Sequence, residues 1–338
     1  MIGKPAAGLT RWRKTKSGTK WNMSDRKLPG LALALDHAIM RAQLAAVREG
    51  EPFSQVRHRV LKYTPGKRCV IEYLLDGNGE PRSSQRLIGK IYRKERGEVI
   101  FKNLRQLWQA GGAGVSFGMP EPLAYLPDMR MVLQRFVPGR QLSDFSERDD
   151  LSTAVRCVAE NLAALHGLAV ATGEKKSLAD HIRKYCHPGP QALIEACPEA
   201  APLVENILVG LAQEASLNGA PICPVHGDLN LAQIFITGDR AFFIDLDGFC
   251  FSHAALDVCN FLITLQVHFS GKSDELRRIF LERYLSRRSP PMVAGLRPYQ
   301  ALAYLRRAVI CFRQQAGADW PSQARRLLEA GCEILIKS

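Results

Sequence analysis

The sequence predicts an α+β fold with two lobes, a small lobe built on an antiparallel sheet and a larger helical lobe. Short alternating apolar runs separated by turn residues occupy most of the segment 56–136, with one helical stretch among them. Beyond residue 138, apolar residues recur mainly at helical spacing, interrupted once by a pair of short strands. A chain of 338 residues, of which 46% are hydrophobic, is long enough to bury a sizeable core.

The first lobe is predicted to contain five strands and two helices. Apolar residues at helical spacing predict a helix at 31–47 that packs on the lobe. A second helix, at 97–111, is ended by Gly111-Gly112 and lies between the third and fourth strands. Alternating runs bounded by turns predict the strands, at 56–63, 68–75, 86–93, 122–125 and 130–136.

The second lobe is predicted to begin at Pro138-Gly139, which breaks the strand pattern. Its first helix has the 4-3-4-3 spacing of a buried element between Leu151 and Leu165. Further helices are predicted at 256–267, 275–284, 299–315 and after residue 321. We therefore assign a flexible basic arm to 1–30, the first lobe to 31–137 and the helical lobe to 138–338.

A predicted hairpin within the helical lobe carries the most informative residues. His226-Gly227-Asp228 precedes its first strand, Gln233 lies within that strand, and Asp245 ends the second strand. A carboxylate, an amide oxygen and a second carboxylate therefore lie at one edge of the hairpin. Phosphoryl transfer requires such a set, with one acid to accept a hydroxyl proton and two oxygen ligands for magnesium. The alternative is a polar turn with solvated carboxylates.

These residues resemble the aminoglycoside phosphotransferase and choline kinase superfamily, small-molecule kinases with a protein-kinase-like fold. The resemblance implies that Asp228 is the catalytic base and that Gln233 and Asp245 bind magnesium. It also implies that Asp257 braces the catalytic loop. Most members carry Asn at the position of Gln233, and the Gln is similar to that of maltokinase-like sugar kinases. The resemblance covers about residues 56–265, so the expected lobes are a nucleotide-binding lobe and a lobe that holds the acceptor.

Lys90, on the third predicted strand, is the candidate cation for the non-transferred phosphates of ATP, because the charge of the triphosphate must be neutralised. An outward-facing lysine is the alternative. The family resemblance implies a glutamate on the next helix as its partner. We favour Glu98, in the first turn of that helix, over Glu95, although an acid there can simply stabilise the helix N-terminus.

The resemblance also implies that the turn between the first two strands covers the phosphates. Gly66 and Lys67 offer backbone N–H donors there, and Arg68 adds a charge. A basic hairpin tip in solvent is an equal alternative. The resemblance further implies that adenine binds through backbone groups at the linker between the lobes. The segment 132–139 fits that linker, and Gln134 and Phe136 are marked by position.

Two further polar residues near the motif have predominantly structural interpretations. His166 follows Leu165 at the end of a predicted helix, and we expect it to be structural. Asp247 follows Asp245 by two residues and is either a second metal ligand or a cap of the loop. We favour the cap.

The composition indicates which binding partners and which cellular compartment to expect. The formal net charge is +13, which indicates either an anionic partner or a solvated basic surface. Nucleic acid is not favoured, because the basic segment 11–27 contains only two aromatic residues. The nine cysteines form no Cys-x-x-Cys, which argues against a disulfide framework or a metal cluster and favours a reducing cytoplasm. We expect neither a membrane span nor a secretory signal.

The predicted function is ATP- and Mg²⁺-dependent phosphorylation of a hydroxyl group on a small molecule. We expect a neutral or anionic acceptor, such as a sugar or polyol, because arginines crowd the chain after Asp257. The alternative is a non-catalytic nucleotide- or ligand-binding module that has kept the fold. A protein kinase is not favoured, since His-Arg-Asp, Asp-Phe-Gly and Ala-Pro-Glu are missing and only eleven residues separate Asp245 from Asp257.

Overall fold

The computed structural model describes residues 25–47, 53–77, 85–112, 117–213, 221–288, 296–315 and 317–336. Most of the predicted basic arm, up to residue 24, lies outside the described residues. The described residues form the two predicted lobes, an antiparallel sheet with its helices followed by a helical lobe.

Five antiparallel strands form the sheet of the first lobe in the order β1-β2-β3-β5-β4. The strands are β1 Phe53–Thr64, β2 Arg68–Gly77, β3 Gln85–Tyr92, β4 Pro122–Leu126 and β5 Met131–Arg135. Alternation of apolar residues along β2 places Cys69, Ile71 and Tyr73 on the buried face, fully removed from solvent. All five predicted strands are confirmed, with small differences at their ends.

Two helices cover that buried face, where the sequence predicted one. They are α1 Leu31–Leu35 and α2 His37–Val47. Asp36 between them is extended, and its carboxylate accepts hydrogen bonds of 2.9 Å from the N–H groups of Ala38 and Ile39. The apolar spacing continues through Asp36, so the sequence predicted one continuous helix. Because Asp36 caps the N-terminus of α2, it takes a non-helical conformation, and α1 ends before it.

The first lobe begins earlier in the chain than the predicted residue 31. Leu28 is buried in the core of the lobe, and the Cα of Gly30 lies so close to the backbone of Met129 that a Cβ would not fit there. Asp25 binds the β1–β2 turn through Gly66. The lobe therefore includes at least residues 25–30, and the predicted arm boundary at residue 30 is wrong.

The other face of the sheet packs on α3 Arg96–Leu107, which continues as a π-helical turn at Trp108–Gly112. Ile100, Leu104 and Leu107 form its buried stripe. The predicted helix is therefore confirmed.

In the described residues the second lobe has eight α-helices. They are α4 Leu151–His166, α5 Leu178–Tyr185, α6 Pro190–Ala196, α7 Ala201–Gln213, α8 Ala255–His268, α9 Ser273–Leu285, α10 Leu296–Gln314 and α11 Trp320–Ile336. One core contains α4, α8 and α9, and the other contains α7, α10 and α11. The predicted helices are confirmed, whereas α5, α6 and α7 were not predicted. Prolines between residues 188 and 202 interrupt the apolar periodicity around α6 and the start of α7.

Short strands place the motif residues where the two lobes meet. The predicted hairpin is confirmed as β8 Ile234–Thr237 and β9 Arg240–Phe243, joined through Gly238 at φ +58°. The two-residue strand β6, Arg140–Gln141, leads from the linker and pairs with β8. Cys223–Val225 (β7) pairs with Cys250–Ser252 (β10), and neither strand was predicted.

None of the helices in the described ranges combines the length and the hydropathy that a bilayer-spanning segment requires.

Candidate active site

The loop that follows β7 holds Asp228 in place through its neighbour His226. The buried imidazole of His226 donates from Nε2 to the carbonyl oxygen of Ile244 at 2.9 Å, and its Nδ1 accepts the N–H of Asp228 at 3.4 Å. Both contacts are satisfied by the neutral imidazole with its proton on Nε2. Gly227, at φ +82°, supplies the left-handed turn that these contacts require.

A buried carboxylate on α8 braces the same loop. Asp257 is fully buried, and its oxygens accept the N–H groups of His226 at 2.6 Å and Gly227 at 2.9 Å. Burial alone raises the pKa of Asp257, but the hydrogen bond and charge of His166, with the backbone donors, hold that pKa below its usual range. Two backbone donors are thus fixed on a charged acceptor, which is the bracing geometry expected for Asp257.

His166 belongs to this brace. Its Nε2 lies 3.3 Å from Asp257 Oδ2, and its Nδ1 lies 2.7 Å from the hydroxyl of Tyr284 on α9. All three side chains are buried. His166 therefore links three helices under the loop, in agreement with its predicted structural role.

The Asp228 side chain is partly open to solvent, with 38% of its surface exposed. Its Oδ1 is buried and ion-paired with the guanidinium of Arg306, which extends from α10 and is only 11% exposed. The exposed fraction of the carboxylate therefore lies at Oδ2, and this is the oxygen that a hydroxyl can reach. Arg306 was only one of many arginines in the sequence, and no local pattern marked it.

Gln233 is buried and takes part in a reciprocal cap of its own turn. Its Oε1 accepts the N–H of Asn230 at 3.1 Å, while Asn230 Oδ1 accepts the N–H of Ala232 at 3.0 Å. The predicted metal-binding amide is therefore also a structural acceptor within the loop. Asn230 was missed, although Asn-x-x-Gln has the spacing of a capping box.

Asp245 follows β9 in a left-handed conformation, at φ +63°. Such a backbone is costly for a residue other than glycine and is typical of functional sites. Asp245 Oδ1 lies 2.9 Å from Lys90 Nζ and 3.3 Å from the guanidinium of Arg68. Burial raises the pKa of Asp245, but the charges of Lys90 and Arg68 outweigh it and hold the pKa well below its usual range.

Asp247 also contacts Lys90. Its Oδ1 lies 3.2 Å from Lys90 Nζ, and its Oδ2 accepts a hydrogen bond of 2.8 Å from the hydroxyl of Tyr92. It caps no turn, so the favoured interpretation as a loop cap is wrong. Tyr92 was missed, although it lies two residues after Lys90 and therefore on the same face of β3.

The two carboxylates fit a divalent cation. One oxygen of Asp245 and one oxygen of Asp247 contact the same nitrogen, Lys90 Nζ, so the two carboxylates lie close together. Hard cations such as Mg²⁺ take carboxylate oxygens as ligands. In the part of the chain that the structure describes, no third His, Cys, Asp or Glu joins them. Phosphate, water and amide oxygens would complete the coordination.

Lys90 faces the site, as predicted, but its expected partner is wrong. Its side chain is 7% exposed, and although burial lowers its pKa, the charges of Asp245 and Asp247 raise the pKa above its usual value. Glu98 is 55% exposed and pairs with Lys102 at 2.8 Å instead. Glu95 lies 3.7 Å from Arg130. Both glutamates start α3 at its solvent side, so neither forms an ion pair with the buried strand lysine.

The β1–β2 turn contributes a side chain to the site and uses its backbone donors elsewhere. The N–H of Gly66 donates to Asp25 Oδ2 at 2.7 Å, and the N–H of Lys67 donates to the carbonyl oxygen of Thr64 at 3.0 Å. The expectation that these donors are free for phosphate is therefore wrong in this structure. Arg68 reaches Asp245, as described above, and is the cation that the turn supplies.

A family model described as "Phosphotransferase enzyme family" matches residues 73–301, about two thirds of the chain. The chain belongs to this family. The match begins within β2 and ends within α10, so it includes Lys90, the motif of Asp228, and Asp257. The superfamily resemblance noted from the sequence is thereby confirmed, and the likeness to maltokinases stays a prediction.

Solved structures of small-molecule kinases share the fold at low sequence identity. The aminoglycoside phosphotransferase APH(4)-Ia is 15% identical, with a TM-score of 0.58 over 87% of this chain and 98% of that chain. Choline kinase LicA from Streptococcus pneumoniae is 14% identical, with 0.58 over 88% and 98%. Plasmodium vivax ethanolamine kinase is 15% identical, with 0.55 over 82% and 81%. A comparison with curated proteins found no match.

In this phosphotransferase family member, only residues 136–139 of the predicted linker lie between β5 and β6, and residues 132–135, with Gln134, belong to strand β5. The N–H of Phe136 donates to the carbonyl oxygen of Arg86 at 3.1 Å, and the Arg86 guanidinium lies 3.5 Å from the centroid of the Phe136 ring. Gln134 is buried opposite Ile88 of β3. The sequence marked Gln134 and Phe136 by position, and neither side chain shows a feature that by itself selects a base.

Proposed function

We propose that this protein transfers the γ-phosphoryl group of ATP to a hydroxyl of a small molecule. The hydrogen bond from His226 to the Ile244 carbonyl carries the proposal. His226 is two residues before Asp228, and Ile244 is adjacent to Asp245, so this bond holds the candidate base and the carboxylates in one unit. A base for the hydroxyl beside a cation site for the phosphates is what phosphoryl transfer requires.

Asp228 is the proposed base. Its accessible Oδ2 accepts the proton of the acceptor hydroxyl as the hydroxyl oxygen forms a bond to the γ-phosphorus. The bond from the γ-phosphorus to the bridging oxygen breaks, and ADP leaves with that oxygen. General bases of this kind typically contribute about 10²- to 10⁴-fold in rate.

Lys90 and Arg68 are the proposed cations for the nucleotide phosphates. Each already contacts Asp245, so both lie beside the proposed metal site. Mg²⁺ bound by Asp245 and Asp247, with the second lone pair of Gln233 Oε1, would neutralise charge on the phosphates. Support for ATP comes from APH(4)-Ia, whose ternary complex contains AMP-PNP and hygromycin B.

The linker is the proposed adenine site. Backbone groups there bind the base in the expected arrangement, and the side chains of Gln134 and Phe136 border it. Because the N–H of Phe136 is already used by Arg86, we assign the base contact to the backbone around Val137. Glu98 has no proposed role in nucleotide binding, since its charge is paired at the surface.

The proposed acceptor is a neutral or anionic sugar or polyol. A cationic acceptor requires carboxylates to offset its charge. In the described part of the chain the group that approaches Asp228 from the acceptor side is a guanidinium, that of Arg306. The likeness of Gln233 to that of maltokinase-like enzymes points in the same direction.

A non-catalytic nucleotide-binding module is the second candidate. It is favoured by the engagement of Gln233 Oε1 within its own turn and by the occupied N–H groups of Gly66 and Lys67. In that case the protein would bind ATP without transferring phosphate to any hydroxyl.

An ADP-release assay over sugars, polyols and their acids separates the two candidates. We expect Mg²⁺–ATP to raise the melting temperature and one group of acceptors to release ADP well above the background hydrolysis. Asp228→Asn should keep the thermal shift and lose the release. A thermal shift in the wild-type protein without acceptor-dependent ADP release would favour the non-catalytic module.

A further inference from the structure

We propose that Arg306 binds an anionic group of the acceptor, a carboxylate or a phosphate monoester, next to the hydroxyl that receives phosphate. This inference rests on the proposed function, because it places the acceptor hydroxyl at Asp228. It narrows the acceptor from any sugar or polyol to one that carries a negative charge.

Arg306 is a fixed part of the acceptor side. It lies in the middle of α10, which packs on α8 and also contacts α5 and α6. The ring of Tyr299, at the start of α10, stacks on His253 with centroids 5.2 Å apart and an angle of 11°. The guanidinium of Arg306 is mostly buried, unlike that of a solvated helix arginine. A long flexible side chain held in this way is preorganised for a ligand.

The contact between Arg306 and Asp228 determines which charge on an acceptor is favourable beside Asp228. The guanidinium lies on the buried Oδ1, so it stands beside the oxygen that takes the hydroxyl proton. A protonated amine near that hydroxyl would approach a buried positive charge, which is unfavourable in a partly desolvated site. A carboxylate or phosphate would instead gain charge-assisted hydrogen bonds from the planar donor fork.

The spacing limits the size of the acceptor. The reacting hydroxyl must lie within about 3.2 Å of Oδ2 to give up its proton. The anion must lie at hydrogen-bond distance from the guanidinium that contacts Oδ1 of the same carboxylate. Hydroxyl and anion are therefore separated by only a few bonds, as in an aldonic acid, a uronic acid or a sugar phosphate.

A positioning role is the competing explanation, in which Arg306 only orients Asp228. Loss of orientation would lower kcat for every acceptor alike. Loss of an anion contact would raise KM for anionic acceptors selectively, on top of any change in kcat that anionic and matched neutral acceptors share. The two roles are therefore separable by kinetics.

The test compares acceptors that match in carbon chain and differ in charge. The probes are gluconate against glucitol, glucuronate against glucose, and glucose 6-phosphate against glucose, which distinguishes carboxylate from phosphate. The variants are Arg306→Gln and Arg306→Lys. Arg313→Gln is the matched control, because Arg313 lies two turns further along α10, is exposed, and loses the same charge. Calorimetry of each acceptor without nucleotide gives binding independently of turnover.

We expect the wild-type protein to prefer at least one anionic member of a pair by about tenfold or more. Arg306→Gln should remove that preference through an increase of about 10- to 100-fold in KM or Kd for the anion. Arg306→Lys should recover part of it, and Arg313→Gln should behave as wild type.

Three results would overturn the inference. They are equal or better binding of the neutral members, a loss of kcat in Arg306→Gln that is equal for all acceptors with no selective increase in KM or Kd for the anionic ones, and no binding of any anionic probe. Charge-selective binding that Arg306→Gln removes, without any ADP release, would uphold the anion contact of Arg306 and refute phosphoryl transfer to that ligand. Turnover of neutral acceptors alone would uphold the proposed function and refute the anion contact.

Discussion

Glu98 and Lys102 form an ion pair of 2.8 Å along the exposed side of α3, and Lys90 takes no part in it. The strand lysine is balanced instead by Asp245 and Asp247, which belong to the other lobe. The charge network at the proposed nucleotide site therefore crosses between the lobes, and the helix after β3 contributes no charge to it.

This arrangement predicts that substitutions of Lys90 and of Glu98 have very different effects on the affinity for Mg²⁺–ATP. Lys90→Gln should weaken Mg²⁺–ATP binding by about tenfold or more, because a charge-assisted contact to phosphate is lost. Glu98→Gln should leave the affinity unchanged, since Glu98 pairs with Lys102 at the surface while Lys90 pairs with Asp245 and Asp247. Titration calorimetry measures both. Equal losses in the two variants would show that Glu98 does support Lys90 when nucleotide is bound.

Asp228→Asn is predicted to lower kcat by about 10²- to 10⁴-fold and to leave Mg²⁺–ATP affinity nearly intact. The substitution removes the proton acceptor, while the contacts of Asp245 and Asp247 are not altered. Single-turnover ADP release at saturating acceptor is the measurement. A variant that keeps most of its turnover would show that another group accepts the proton.

Asp245→Ala is predicted to abolish the dependence of ATP affinity on magnesium, because Asp245 supplies a charged ligand and also balances Lys90 and Arg68. Gln233→Asn should be milder, since it keeps an amide oxygen. Calorimetric titrations with and without Mg²⁺ compare the variants. An Asp245→Ala protein with unchanged Mg²⁺–ATP affinity would remove this residue from the metal site.

Asp257→Ala is predicted to destabilise the protein by about 2–6 kcal/mol. It leaves the buried N–H groups of His226 and Gly227 without their acceptor, and each such loss costs about 1–3 kcal/mol. Urea denaturation gives the free energy of unfolding. Asp180→Ala is the comparison, because the Asp180 carboxylate accepts the N–H of Ser177 in the exposed capping box of α5, and it should cost about 0.5–2 kcal/mol. Equal costs at the two positions would argue against a buried brace.

Much of the fold could be predicted because the residue patterns that define its strands and helices repeat at short range along the chain. Alternation defined the five strands, and helical spacing defined α3, α4 and the last helices. The motif around Asp228 was visible because its residues lie close together in the chain. What failed depended on tertiary packing. The direction of Glu98 depends on how α3 sits on the sheet, and the contact of Arg306 joins residues 78 positions apart with no local pattern.

The stability of the protein is predicted to fall on acidification below about pH 6.5 through His253. Burial, together with the charge of His166, lowers the pKa of His253 below the ordinary histidine value of about 6.5. Between the two pKa values the unfolded chain binds a proton that the folded protein does not, so stability is full above pH 6.5 and decreases as pH falls towards the folded pKa. One such proton contributes a slope of at most about 1.4 kcal/mol per pH unit.

Urea denaturation at intervals between pH 8 and pH 5 measures this slope in the wild-type protein and in His253→Phe. The phenyl ring keeps the stack on Tyr299 but has no titrating group. The variant loses the hydrogen bond that the Ala255 N–H donates to His253 Nδ1. This loss lowers the free energy of unfolding equally at every pH, so it does not change the slope of stability against pH. His58, whose pKa is also lowered by burial, adds a slope of the same sign, so His58→Gln is measured beside it. A slope that is identical in wild type and His253→Phe would mean that His253 already carries its proton in the folded protein or titrates equally in both states.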